Sequence, residues 1–152
     1  MRSLLAGQGI AIKSGESMAD VTISATGLPS LTSLITAHVH WVAGGVAPNN
    51  LPIFTAAYPL IVTSIVGRVE SISSSAATLM LMKVPNSIAI ASGYPLTQAA
   101  FNAAGTAHLN QALSLVDDIT VLSLDPGDSI GVKTTGTWTG ACGGITVHLA
   151  PA

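Results

Sequence analysis

The apolar positions of this chain recur with a period of two, and glycine or proline interrupts before a 3.6-residue period can establish itself. In AHVHWV (37–42), His38, His40 and Val42 fall on one face and Ala37, Val39 and Trp41 on the other, because successive strand side chains point to opposite sides. PLIVTSIVGRVESIS (59–73) sets Ile61, Thr63, Ile65 and Gly67 against Val62, Ser64, Val66 and Arg68, with Gly67 a candidate bulge or bend. The Ser/Ala-rich turn SSSAA leads into TLMLMKV (78–84), and SIAIAS (87–92), LNQALSL (109–115), ITVLSL (119–124), SIGVKTTG (129–136) and GGITVHLA (143–150) read as further strands. Asp125-Pro126-Gly127-Asp128 predicts a type II turn, since proline presets the first central position and glycine accepts the positive φ of the second. LTQAAFNAAG (96–105) is the one Ala-rich stretch with helical potential; its short, glycine-ended pattern fits a turn or strand edge.

Near the start, IAI (10–12) and DVTIS (20–24) flank KSGES, a hairpin pattern with Gly15 in its turn, and ATGLPSLTSLIT (25–36) reads as an extended connector. Residues 1–36 hold too few large apolar side chains for a core of their own. The expected organisation is an N-terminal docking arm over 1–36 and, over 37–152, an all-β, jelly-roll-like sandwich of about eight strands.

Composition changes the picture by what it excludes. The chain has 152 residues, of which five are Lys/Arg and seven Asp/Glu, for a net charge of −2. Charged residues make up 8%, against roughly 25% in ordinary soluble domains. With no basic surface to displace counterions, nucleic acid is not an expected partner. The most apolar run, Leu51–Val66, is broken by Pro52 and Pro59 and falls short of the roughly 20 residues of a spanning helix. Two Trp, two Tyr and two Phe are too few for the aromatic girdles of an outer-membrane barrel, so no membrane is expected either. MRSLLAGQGIAIKSG lacks the apolar core of a signal peptide, so the expectation is synthesis in the cytoplasm without a signal peptide. A folded chain of this size exposes roughly 7,000 Å², and so few charges cover little of it. Either Ser, Thr, Asn and Gly solvate that surface, or other copies or a partner cover it; low charge combined with apolar surface favours the second.

Candidate chemistry is sparse. His38 and His40, two apart on one strand, could share a metal ion, but a site needs further ligands, and nothing in the sequence places His108 or His148 nearby. Asp117, Asp118, Asp125 and Asp128 suit turn stabilisation and lack a calcium-loop pattern. Gly7-Gln8-Gly9 is no dinucleotide fingerprint. Cys142, the single cysteine, forms no internal disulfide and reads as a buried or interface thiol. Trp41 and Trp138 are candidate core or interface anchors, or stacking platforms for a glycan. No catalytic residue, metal ligand or cofactor site is assigned, and the chain does not read as an enzyme.

NLPIFTAAYPLIVTSIVGRVES, LMLMKVPNSIAIASG, NQALSL, LDPGDSIGV and GGITVHLAP together resemble small jelly-roll virion proteins of tailed bacteriophages, of the capsid decoration or head-fibre type. The resemblance covers about 50–152, and LLAGQGIAIKSGESMADVTIS is similar to hairpins of virion attachment segments. It implies a non-enzymatic capsid decoration (cement) protein on the virion surface. Such a protein is homo-oligomeric, with a trimer as the expected state. Its arm would dock on the major capsid protein and so stabilise the capsid. The alternative is a glycan-binding tail-fibre or carbohydrate-binding module that meets a host-surface glycan. No catalytic residue or cofactor is implied.

Overall fold

A computed structural model describes residues 10–14, 21–25, 35–43, 45 and 47–152. The chain forms two compact units, Met1–Leu31 and Thr32–Ala152. In the first, β1 (Ile10–Ser14) pairs antiparallel with β2 (Val21–Ala25), from Ile10 opposite Ala25 to Ser14 opposite Val21. That is the expected hairpin. The turn assigned to Gly15, the Gly7-Gln8-Gly9 run and most of the 25–36 connector lie outside the described residues.

The second unit is a sandwich of two antiparallel sheets. Its strands are β3 (Ile35–Trp41), β4 (Leu51–Thr55), β5 (Leu60–Ser71), β6 (Ala77–Val84), β7 (Tyr94–Pro95), β8 (Phe101–Asn102), β9 (Asn110–Leu113), β10 (Ser123–Leu124), β11 (Ser129–Gly136) and β12 (Cys142–Pro151). One sheet runs β3-β12-β5, with β9 and β10 both pairing the far side of β5; the other runs β4-β11-β6, with β7 and β8 both pairing the far side of β6. Count β7 and β8 as one interrupted strand and β10 as part of the edge begun by β9. The sheets then read first-eighth-third-sixth and second-seventh-fourth-fifth, which is the double Greek key of a jelly roll. The expected fold class is borne out. The sandwich starts a few residues earlier than the expected boundary at 36/37, because Ile35 and Thr36 already pair with Leu149 and His148 of β12.

The inward faces meet in one core. Leu60, Val62, Ile65, Val69, Ile145, Val147 and Leu149 from the first sheet pack with Leu79, Leu81, Ile130 and Val132 from the second. At one end the core is aromatic, with Trp41 edge-on to Trp138 at 5.4 Å and tilted against Phe101 at 5.9 Å. The turn at Asp125–Asp128 forms as expected: Gly127 has φ 94° and the Asp128 N–H donates to the Asp125 carbonyl.

Several local readings need correction. β5 carries two bulges, at Thr63 and Glu70, where its pairing with β12 skips a residue. The first shifts the inward series from Leu60 and Val62 to Ile65 and Val69, so Ile61 and Ile65 do not share a face. Gly67 is no bulge; its pairing to Ile145 is regular, and its role is to admit the Phe101 ring, which any Cβ there would overlap. SIAIAS is not a strand. The chain turns at Pro85–Ile88, where the Ile88 N–H reaches the Pro85 carbonyl, and Ile90–Ser92 forms a single 3-10 turn. Ile90 there covers the outer side of β11 against Gly131. ITVLSL opens with one helical turn, α1 (Ile119–Leu122), because the Asp118 carboxylate accepts from the Thr120 N–H and caps it. β4 was hidden by Pro52, which sits on a sheet edge opposite Gly131 where the register shifts.

Candidate functional site

Period-two alternation on the first sheet leaves its outer face polar. β3 contributes Thr36, His38 and His40, all exposed, while Ala37, Val39 and Trp41 are buried, as the sequence predicts. The His38 and His40 rings stack at 6.2 Å. His38 is held on both ring nitrogens, by Thr36 Oγ1 at 3.1 Å and by Thr146 Oγ1 of β12 at 3.0 Å. His148 stands on the same strand as Thr146, opposite Thr36. His108 belongs to another cluster altogether. Among the described residues, no three His, Cys, Asp or Glu side chains come together to hold a metal ion.

An open groove of about 640 Å³ crosses this face, lined by His40, Trp41 and Val42 from the β3 end, by Cys142–Gly144, Thr146 and His148 from β12, by Val66–Arg68 and Glu70 from β5, and by Asn110 from β9. A glycine keeps it open on the outer face: a Cβ on Gly144 would stand 2.9 Å from His40 Nδ1, whereas a Cβ on Gly143, opposite Trp41, would overlap the Arg68 carbonyl and press on the Trp41 ring from the core side. Gly144 is thus the sequence mark of the groove, and alternation alone does not reveal it.

Along one wall, Glu70 is the hub. The Arg68 Nε–H donates to Glu70 Oε1, His108 Nδ1 meets Oε2 at 2.9 Å, and Arg68 Nη1 reaches Asn110 Oδ1 at 3.4 Å. These hydrogen bonds, Arg68 first and His108 second, hold the Glu70 carboxyl below its ordinary range. His108 is fixed from the backbone side too, with φ 63° and its N–H on the Val69 carbonyl at 2.7 Å. Arg68 and Glu70 largely neutralise one another, so the groove offers oriented donors and acceptors more than a net charge. That chemistry suits hydrogen-bonded recognition. Cys142 is half-buried at the groove, and its described surroundings form no nucleophile–base arrangement.

The tryptophans are not platforms. Trp41 and Trp138 are 5% and 8% exposed and pack edge to face against each other. The Trp138 indole N–H donates to the Thr135 carbonyl at 3.1 Å. The Trp41 Nε1 is buried with no hydrogen-bond partner among the described residues. Stacking a sugar needs an open ring face, which neither residue offers, and their place in the fold is the aromatic end of the core.

Asp118 and Asp128 do structural work at the opposite end of the sandwich. The Asp128 carboxylate, 9% exposed, accepts from the Asp125 and Asn86 backbone N–H groups and faces Lys83 Nζ at 3.4 Å. Lys83 also donates to the Thr120 and Ser123 carbonyls at 3.0 and 2.5 Å. Asp128 and Lys83 thereby tie the β6 end, the α1 turn and the Asp125–Asp128 turn together. Compared with protein-family models, curated proteins and solved structures, the chain gave no match in any of the three.

Proposed function

We propose that the chain is a non-enzymatic structural protein of a virion, a decoration protein that joins copies of itself and of a major capsid protein on the head surface. The observation that carries this reading is a jelly roll in which Arg68, Glu70, Lys83, His108, Asp118 and Asp128 hold its own loops and strands together. Lys83, Asp118 and Asp128 tie loops, and Glu70 and Arg68 tie β5 to the segment before β9. Such a protein acts by burying area across joints between subunits; binding that exists only in the assembled shell stabilises the shell. Residues 1–36 are the proposed capsid-docking segment. Because Ile35 and Thr36 are paired in the sandwich, the informative deletion removes 1–31. The truncated protein should melt as cooperatively as the full chain yet no longer sediment with capsids, and retained capsid binding would reject arm docking.

The groove supports a second reading, a module that binds a host-surface glycan through Arg68, Glu70, Asn110 and His148. Its test is a glycan array probed with the full chain and with Arg68→Ala. Binding lost in the variant supports this reading, and a blank array for the full chain disposes of it.

A further inference from the structure

The sandwich has four sheet edges, and three are blunted in ways that prevent strand addition. The β9/β10 edge is broken into pieces of four and two residues, and the β7/β8 edge into two pieces of two. β4 carries Pro52 and a register shift. Short strands, prolines and irregularities are the ordinary protections of an edge. β3 has none of them. It runs seven residues, Ile35–Trp41, with no proline and no Lys, Arg, Asp or Glu, and its pairing with β12 is uninterrupted from Leu149 to Gly143. Among the described residues no strand lies along its other side.

We propose that β3 is a self-association edge, on which β3 of a second copy adds antiparallel about a two-fold axis at His38. The strand's own sequence argues for a copy of itself as occupant. His38 is its midpoint, so centring there overlaps all seven residues. On the outer face this sets His38 opposite His38 of the second copy, and Thr36 opposite His40 of the second copy. On the inner face Ala37 meets Val39 and Ile35 meets Trp41. Ala37, Val39 and Trp41 are already buried in a single copy, so the added apolar burial falls mainly on half-buried Ile35. No like charges oppose one another, whereas a charged foreign strand would find nothing on β3 to pair with. The unsatisfied N–H and C=O groups of each edge become the other's partners. Both copies then lie in one continuous sheet, with their grooves on the same face. This deepens the self-association part of the proposed function and rests on that reading only for the expectation that copies associate; it replaces the expected trimer with a two-fold pair.

The test uses the full chain in sedimentation-velocity runs over a concentration series. The wild type should approach twice the monomer mass. His38→Lys, at an exposed position, places two ammonium groups at the axis and should weaken association severalfold, with an unchanged circular dichroism spectrum. In His38→Cys/Cys142→Ser, oxidation should trap a covalent dimer, since directly opposed side chains approach to about 4.5 Å at Cβ, the upper end of a disulfide's span. A wild type that is trimeric, or a dimer that His38→Lys leaves intact and His38→Cys does not trap, overturns the β3 pairing while leaving self-association standing. A monomer at every concentration overturns both, and capsid co-sedimentation of the same samples then reports separately on the decoration reading.

Discussion

At the scale of single residues, a few side chains decide what the sheets can do. Gly67 lies in regular pairing, yet the Phe101 ring occupies the space a side chain there would need, its Cδ2 2.7 Å from where a Cβ would stand. Gly67→Ala should therefore cost about 1–3 kcal/mol through overpacking, and Gly67→Ala/Phe101→Leu should recover part of that in urea denaturation. Asp128 presents the opposite case, a buried acid whose worth lies in what it leaves behind when removed. Asp128→Ala strands Lys83 in a site where its side chain is only 12% exposed and frees the Asn86 and Asp125 N–H groups. The expected loss is about 3–5 kcal/mol. Lys83→Met/Asp128→Ala should be more stable than Asp128→Ala alone, because no uncompensated charge then remains inside. If the double variant proves the weaker of the two, the Lys83 bonds to Thr120 and Ser123 outweigh the pair.

At the scale of elements, the clearest coupling joins β5 to the segment leading into β9 through Glu70. Arg68 and then His108 lower the carboxyl pKa in the folded state. A group with a depressed folded pKa contributes stability at pH above its unfolded value, and that contribution is lost as pH falls through the folded value. Asp118, lowered by its hydrogen bonds from Thr120, has the same sign. Thermal melts should accordingly show Glu70→Gln less stable than wild type at neutral pH. The gap should close as pH drops below the ordinary glutamate value of 4.5, and a gap independent of pH would assign the loss to packing instead. These elements also show what the sequence displays and what it hides. Alternation placed β3, β6, β11 and β12 almost to the residue, because each buries one face against the same core. The skips at Thr63 and Glu70 leave no compositional mark, since they arise from matching β5 to β12 across space. SIAIAS and ITVLSL carry strand-like residues, but the Pro85–Ile88 turn and the Asp118 cap override that propensity locally. The groove leaves only Gly144 as a mark in the sequence. The burial of Trp41 follows from alternation with Ala37 and Val39, and both tryptophans are candidate core anchors, but one strand pattern cannot say that they meet each other and Phe101 across the sheets.

At the scale of the whole molecule, the scarcity of charge bears on how the proposed copies would meet. Of its 12 charged residues, several already have internal partners: Lys83 with Asp128, and Arg68 with Glu70. The other eight charges, spread over 152 residues with a net charge of −2, set up no strong one-sign field to steer a partner over distance. Contacts made through the β3 edge would consist of backbone hydrogen bonds, Thr and His side chains and apolar area, none of which depends strongly on ionic strength. Raising sodium chloride from about 50 to 500 mM shortens the screening length severalfold, yet the sedimentation profile and the melting temperature should change little. Sulfate, which strengthens apolar burial by exclusion from protein surfaces, should push the same samples toward the associated form. A tenfold loss of association in sodium chloride would instead mean that the few exposed charges, and not the uncharged edge, hold the copies together.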